Sequence, residues 1–495
     1  MREQISGLLW DEETGHVTRG EILGYPVPSS VLPGATIDLH VSCPYPKFRA
    51  KFYRQGATLQ LVYTSGAFNG VHTPLKSASD DFNWTSYSFA VPLNWTSGAY
   101  IVLFEGLDAS GNLVAAAPTL PVLPDGRQVP FSPDRSLLFV VRNPTPGSGP
   151  KILMRLPLAN YHAYNVLGAS SLYSTYDVPP RVLVTPTVSM RRPGGGVGGP
   201  SDDATVDLYD PLSPYDSFAH WDAKMIQWLE SSGWSVDYCT DIDLHSNPGD
   251  FLGLGNPTPN YKLALSCGHE EYWSPEMVQN LKTFRDHGGN VAFLSGNTCY
   301  RRVTIVPDVS ITCFKNLWSN SERWCNDTDP NNHENRLTGV RFDGTGLYRP
   351  ANELGIGFTV QQANDPLYTG VGITNGVPTG LSTGNIFGAH QAPVGGAPPK
   401  GGIIGCEADG AEVMLSGGVY VPTGNDGTPL TFKVLGYAPF PIGGGFDGSF
   451  GGPATMGYYQ QGGIVFTGAT LDWARVITQD VAVQKITSNL LNWLT

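Results

Sequence analysis

The pattern that most constrains the fold lies in the middle of the chain. It consists of an apolar run, a capped helix and a second apolar run. Tyr261-Lys-Leu-Ala-Leu-Ser266 and Val291-Ala-Phe-Leu-Ser295 are each typical of a buried strand. Between them, Pro275 to His287 has helical character, with Ser274 as the cap and Gly288-Gly289 as the stop. This order predicts two parallel strands joined by a right-handed crossover through the helix.

The carboxyl ends of the two predicted strands should lie at one edge of the sheet, where ligands bind in folds of this kind. The chain continues from these ends as Cys267-Gly-His-Glu-Glu-Tyr-Trp273 and Gly296-Asn-Thr-Cys-Tyr300. We therefore expect Tyr272 and Tyr300 at neighbouring positions on one rim. The residues alone leave their role open, because a tyrosine after a core strand is more often packed with its hydroxyl hydrogen-bonded.

The N-terminal third has a different character, with short alternating runs such as Ala35–Val41 and Gly98–Phe104 separated by turn signals. This pattern predicts an antiparallel β-sandwich. The loop Pro144–Pro150 separates it from the α/β pattern. We predict an extension over residues 1–20, a sandwich over 21–145, and an α/β catalytic domain over 146–495. The fold class is thus all-β plus α/β, the larger domain having a mainly parallel, amidotransferase-like or flavodoxin-like sheet.

The charge balance excludes two classes of partner. The formal net charge is -13, and no run rich in Lys and Arg occurs anywhere in the chain. Binding to nucleic acid or to an anionic membrane surface needs a basic face, so we expect neither partner.

The cysteines indicate a reducing compartment. The seven are widely spaced, and no CxxC pair suggests a zinc site. Cys267 lacks the Gly-x-Cys-x-Gly context of a nucleophile elbow and a convincing histidine partner, which disfavours a catalytic cysteine. With no apolar stretch long enough to span a bilayer and no signal-like N-terminus, we predict a cytoplasmic protein.

A series of short motifs resembles, in order, the large (β) subunit family of N,N-dimethylformamidase, from Glu21 onward. Each motif alone is weak, but their common order is specific. They are Gly24-Tyr25, Pro33–Ile37, Tyr53–Gly56, Trp95–Tyr100, Asn160–Asn165 with Ser171–Tyr173, Thr240–His245, Gly268–Ser274, Gly296-Asn297 with Tyr300, Gly405–Asp409 and Gly468–Trp473.

The resemblance implies one mononuclear ferric iron per chain, held by two tyrosines and a glutamate. Carried over by position, these metal ligands are Tyr272, Tyr300 and Glu334. Phenolate and carboxylate are hard oxygen donors, which suit Fe(III). A phenol with a pKa of about 10 also needs a strong Lewis acid to stay ionised at neutral pH. The implied function is an iron-dependent amidohydrolase that cleaves a C–N bond of a small or natural-product amide.

The resemblance also implies catalytic residues and partners. Glu407 and His333 resemble the family's acid/base residues, and we expect His269 and Asn297 to orient the reacting groups. The formamidase works with a separate small subunit, so a small partner subunit and a homo-oligomer are both compatible with this chain. Arg301-Arg302 replace an expected aromatic, and two charges there would favour an anionic or more polar substrate.

Two other functions remain open from the sequence. The sandwich and the aromatic-rich α/β domain would also suit a non-catalytic protein that binds carbohydrate or peptide, because fold alone does not settle function. An iron with open positions would also support oxygenation, although the His-His-carboxylate triad usual for such enzymes is not apparent.

Overall fold

The computed structural model describes residues 21–117, 136–168, 170–172, 183–194, 197, 217–314, 322–342, 357–373, 375, 402–404, 407–438 and 453–495. The predicted extension over residues 1–20 lies outside these ranges. Up to residue 141, the described chain is built from strands. They are β1 Leu23–Val27, β2 Ser30–Val31, β3 Thr36–Ser42, β4 Lys47–Gln55, β5 Leu59–Thr64, β6 Phe68–Asn69, β7 Ser86–Ala90, β8 Gly98–Leu107, β9 Leu113–Ala115 and β10 Ser136–Val141.

These strands form two sheets, in the orders β1-β3-β7 and β2-β10-β8-β4-β5, with β6 and β9 pairing at the sides of the second. All but the β2–β10 pair are antiparallel. Apolar side chains of both sheets meet in one core. Phe52 of β4, for example, stacks on Phe89 of β7 with ring centroids 4.2 Å apart. Buried and half-buried residues alternate along most of β4, as expected for a strand with one face in the core.

The rest of the described chain mixes helices and strands. The helices are α1 Leu158–Tyr164, α2 Asp222–Ser231, α3 Asp241–Ser246, α4 Pro275–Asp286, α5 Asn335–Thr338, α6 Trp473–Ile477 and α7 Val481–Leu494. The strands are β11 Ile152–Leu156, β12 Ser170–Ser171, β13 Leu183–Val184, β14 Thr187–Ser189, β15 Val236–Thr240, β16 Leu263–His269, β17 Tyr272–Trp273, β18 Asn290–Gly296, β19 Arg301–Arg302, β20 Thr304–Val306, β21 Ser310–Thr312, β22 Thr359–Val360, β23 Val413–Ser416, β24 Val419–Pro422, β25 Lys433–Ala438, β26 Ala454–Gln461 and β27 Gly463–Thr467.

The largest sheet has the order β15-β11-β16-β18-β27-β26-β25-β22. Its first five strands are parallel and the remaining pairs are antiparallel. The predicted strand–helix–strand unit is confirmed, because β16 and β18 are parallel neighbours with α4 between them in sequence. The Ser274 side chain accepts a hydrogen bond from the Met277 backbone N–H and caps α4 as predicted.

Two predicted boundaries differ from the structure. The apolar spacing of Phe218–Glu230 predicts a helix over these residues, but the helix begins at Asp222. The preceding residues form a turn in which the Trp221 N–H donates to the Ser217 carbonyl. The strand predicted to end at Ser266 continues to His269, since its last residues keep pairing with the end of β18. Periodicity does not reveal this extension, which carries His269 to the sheet edge.

The strand-rich part and the α/β part share one continuous hydrophobic core. Ile101 and Leu103 of β8 lie in the same buried cluster as Trp221 and Leu265. At the edge of this contact the Arg54 guanidinium donates two hydrogen bonds, of 3.0 and 2.9 Å, to the Glu230 carboxylate. One face of the second sheet therefore packs against the α/β part of the chain.

The predicted mixture of α and β structure is confirmed, with many sheets and few helices. The amidotransferase-like or flavodoxin-like arrangement and the boundary at residue 145 stay predictions. Within the part of the chain that the structure describes, no helix has both the length and the apolar character needed to cross a membrane.

The shared core predicts that a cavity on the β8 side weakens the whole molecule. We expect Ile101→Ala to lower the free energy of unfolding by about 2–5 kcal/mol, because a fully buried side chain is truncated. Leu113→Ala, at a position 51% exposed, should change it little. Denaturant titration followed by tryptophan fluorescence measures both. A loss confined to an early, separate transition in Ile101→Ala would contradict the shared core.

Candidate metal and catalytic site

Two segments lie side by side where β16 and β18 end. The N–H groups of Cys299, Arg301 and Val303 donate to the carbonyls of Glu270, Glu271 and Trp273, at 2.8, 2.8 and 3.0 Å respectively. β17 and β19 are thereby parallel, with Tyr272 opposite Arg301. The predicted rim is present, and it holds Tyr272 and Tyr300 on adjacent segments.

The three predicted metal ligands are all buried. Tyr272, Tyr300 and Glu334 are 2%, 4% and 2% exposed. Glu334 immediately precedes α5, and its carboxylate lies close enough to the Cys299 thiol to add to the effect of burial in raising the pKa of that thiol. Cys299 is the neighbour of Tyr300 in the chain. Tyr272 and Tyr300 thus lie on adjacent segments, and the Glu334 carboxylate lies near the residue that precedes Tyr300.

Three of the four predicted catalytic residues form a hydrogen-bonded cluster. His269 Nε2 lies 3.1 Å from Glu407 Oε2, and the Asn297 side-chain N–H group donates to the same oxygen at 3.2 Å. Asn297 Nδ2 also lies 3.1 Å from His269 Nε2. The Glu407 side chain retains 21% exposure while the His269 side chain retains 3%, so Glu407 is the member that a molecule from solution reaches first.

A second carboxylate beside His269 was not predicted from the sequence. Glu271 Oε2 accepts a 2.5 Å hydrogen bond from the Tyr164 hydroxyl and lies 3.8 Å from His269 Nε2. Glu271 Oε1 accepts from Arg301 Nε at 3.4 Å. Glu271 and Glu407 therefore both lie near the Nε2 atom of His269. In the sequence, Glu271 is marked only by its position in the pair of adjacent glutamates, Glu270-Glu271, within the motif Gly268–Ser274.

Arg155 of β11 fixes the residues on either side of Glu271 and Tyr272. Its buried guanidinium forms a salt bridge with Glu270 and lies 4.4 Å from the Trp273 ring centroid. The Trp273 indole N–H donates to the Glu270 carbonyl at 2.8 Å. The segment that carries Tyr272 is thus held at both ends by one cation.

Close backbone packing holds Glu407 over the end of β18. A Cβ built on Gly296 would lie 2.7 Å from the Leu471 backbone nitrogen and 3.0 Å from the Glu407 carbonyl oxygen. Only glycine lacks that atom. Asp409 fixes the next turn, because its carboxylate accepts the Thr298 N–H at 3.2 Å, and burial raises the pKa of this carboxyl to about 7.

The family model described as N,N-dimethylformamidase beta subunit-like, C-terminal, matches residues 48–485. The chain belongs to this family. The resemblance seen in the sequence is therefore confirmed, and membership indicates an amide-hydrolysing enzyme at the level of the family. No curated protein matched the chain in a separate comparison.

Other residues that the family pattern suggested have different surroundings. His333 Nε2 lies 3.0 Å from the Asp327 carbonyl oxygen, which its ring would bond as a donor. The motif Gly405–Asp409 is only partly described, since residues 405 and 406 lie outside the described ranges. The buried Cys267 thiol donates to Asp222 at 3.4 Å, and burial raises its pKa well above the ordinary value, as expected for a thiol that is not a nucleophile.

The two arginines after Tyr300 are bound within the protein. Arg301 forms salt bridges with Glu271 and Glu322, and its guanidinium lies 4.6 Å from the Tyr300 ring centroid. Arg302 pairs with Asp327 and lies over the Trp324 ring. Their charges are neutralised by neighbouring carboxylates, which removes the reason to expect an anionic substrate.

The side chains predicted to bind iron differ from the histidines, cysteines and acidic residues that usually form metal sites in proteins. Among the described residues, no group of three or more His, Cys, Asp or Glu side chains is placed to hold a metal ion. The predicted set instead contains two phenols, from Tyr272 and Tyr300.

The close approach at Gly296 predicts a position-specific loss of stability. We expect Gly296→Ala to lower the free energy of unfolding by about 1–3 kcal/mol, because its Cβ must displace backbone atoms of Leu471 and Glu407. Gly66→Ala is the matched control, since its Cβ meets nothing within 4 Å. Denaturation midpoints give both values. Equal midpoints for the two variants would contradict the packing described here.

Proposed function

We propose that this protein is an iron-dependent amidohydrolase acting on a small or natural-product amide. Tyr272, Tyr300 and Glu334 would hold one ferric ion, and Glu407 with His269 would transfer protons. The observation that carries this proposal is the placement of two buried tyrosines on adjacent segments next to a histidine–carboxylate cluster, with the buried Glu334 near the residue that precedes Tyr300. Family membership supports amide hydrolysis as the reaction class.

The donor set suits a trivalent hard cation. Three oxygen donors that can each carry one negative charge would balance a 3+ ion, and all three are withdrawn from water. A cation bound by these three side chains would offset the cost of burying their negative charges. Bound there, ferric iron would supply Lewis acidity toward the amide carbonyl and toward water.

Glu407 is the best candidate for the general base and acid. Its carboxylate is the exposed member of the cluster, so it can take a proton from water and return it to the departing amine. The N–H groups of Asn297 and His269 hold Oε2 in place, which leaves Oε1 to face the reaction.

Glu271 and Tyr164 would help to orient His269. Two carboxylates near the same ring nitrogen would keep the direction of the imidazole fixed, as a catalytic histidine requires. The Tyr164 hydroxyl and Arg301 in turn hold Glu271. Because the nearby arginines are paired, the substrate we propose is an uncharged amide.

The proposed ligands predict a coloured iron protein. Wild-type protein loaded with ferric iron should bind about one ion per chain and show a visible phenolate-to-iron charge-transfer band. Tyr272→Phe and Tyr300→Phe should each weaken binding and reduce the band, since each removes one anionic donor. Tyr87→Phe removes a phenol that donates to the Asn69 carbonyl in the strand-rich part, and it should change neither. Absorption spectra with metal analysis test this, and unchanged iron content in both ligand variants would contradict the assignment.

The role given to Glu407 predicts a loss of rate without loss of metal. We expect Glu407→Gln to lower kcat by roughly 10²- to 10⁴-fold on the best amide of a panel, because the proton acceptor is lost. Its iron content should stay at the wild-type level. Glu412→Gln, at an exposed glutamate five residues on, is the control. Wild-type kcat in Glu407→Gln would exclude this residue as the acid/base group.

A further inference from the structure

The ring of Tyr300 is in contact with two guanidinium groups. The Cζ atom of Arg301 lies 4.6 Å from the ring centroid, and the Cζ atom of Arg323 lies 5.0 Å from it. A cation within about 6 Å of a ring centroid is attracted to the electrons of the ring. Tyr300 is 4% exposed, so water screens these contacts little. Both arginines therefore act on the electrons of a side chain that we propose as an iron ligand.

Backbone hydrogen bonds fix the position of Arg323. It lies on a short segment that runs antiparallel to the residues after Tyr300. The Trp324 N–H donates to the Tyr300 carbonyl at 3.2 Å, and the Glu322 carbonyl accepts the Arg302 N–H at 2.6 Å. The chain on both sides of Arg323 is thus bound to the segment that carries Tyr300.

The two arginines over the ring differ in their ion pairs. Arg301 forms salt bridges with Glu271 and Glu322, so two carboxylates offset its charge. Arg323 adds a second positive charge, and the two guanidinium groups and two carboxylates then balance. A substitution of Arg323 removes one positive charge over the ring and leaves both salt bridges of Arg301 in place. Arg323 is therefore the residue at which the effect of this charge can be measured.

A positive charge over a phenolate ring lowers the energy of the ring electrons. The phenolate oxygen then gives less electron density to a metal that it binds, in the way that groups around metal ligands generally tune a metal. A metal that receives less density from its ligands polarises a carbonyl group more strongly.

We propose that Arg323 is a positioning residue that weakens Tyr300 as an electron donor to the proposed iron and so strengthens that ion as a Lewis acid toward the amide carbonyl. Arg301 supports the same effect from its place next to Tyr300 in the chain. This inference rests on the proposed function, because Tyr300 is an iron ligand only in that proposal.

The test is the absorption spectrum of the ferric-loaded Arg323→Gln variant beside that of the wild-type protein. Removal of the cation raises the energy of the ring electrons, so the charge-transfer band should move to longer wavelength by roughly 5–15 nm. Iron content should match that of the wild-type protein. A band at the wild-type wavelength in iron-loaded Arg323→Gln overturns the inference and leaves the proposed function intact. Absence of both iron and band in the wild-type protein overturns both.

Three further variants separate the charge from the packing of the side chain. Arg323→Lys keeps the charge and should keep the band close to its wild-type position. Arg323→Met keeps the length of the side chain without the charge, and it should reproduce the shift if Arg323→Gln fails to fold or to hold iron. Arg302→Gln is the matched control, because its guanidinium lies over Trp324, at 4.5 Å, instead of over Tyr300.

Two outcomes with these variants overturn the inference. One is an equal shift in Arg302→Gln and Arg323→Gln, which would mark a general disturbance of the segment. The other is loss of iron from both Arg323→Gln and Arg323→Met, because removal of a nearby cation does not by itself weaken the binding of another.

Discussion

The buried guanidinium of Arg155 is the contact on which the candidate site depends. It joins strand β11 to the segment after β16 through a salt bridge with Glu270 and stacking on Trp273. Removing one partner of such a buried pair leaves an uncompensated charge and typically costs about 3–5 kcal/mol. The segment held in this way carries both Glu271 and Tyr272. A single cation in the sheet thus fixes a proposed metal ligand and the carboxylate beside His269.

Much of the sheet that supports the site was predictable from sequence. The βαβ unit and its capped helix could be predicted because the spacing of apolar residues, the capping residue and the terminating glycines are all local features of the sequence. The same signals placed Tyr272 and Tyr300 on one rim. His269 and Asn297 were expected to orient the reacting groups, and the structure does bring both to Glu407.

The contacts that complete the site were not predictable in the same way. Arg155 and Glu270 are 115 positions apart, Tyr164 and Glu271 are 107 apart, and Asn297 and Glu407 are 110 apart. No periodic pattern encodes such pairings, which arise only when the strands assemble. The family resemblance supplied Glu407 and Glu334, but it gave no information on the partners of Arg301. Its pairing with Glu271 and Glu322 removes the free charge from which an anionic or more polar substrate was expected.

Family membership favours hydrolysis over the two alternatives. A carbohydrate- or peptide-binding protein has no need for a buried histidine with two carboxylates near one ring nitrogen. An oxygenase of the usual kind binds iron through imidazoles, whereas His269 is engaged with Glu407.

X-ray absorption spectroscopy at the iron edge of the ferric-loaded protein tests this account most directly. We predict a first shell of oxygen atoms without imidazole scattering. Imidazole or sulfur ligands, or failure to retain iron, would contradict it.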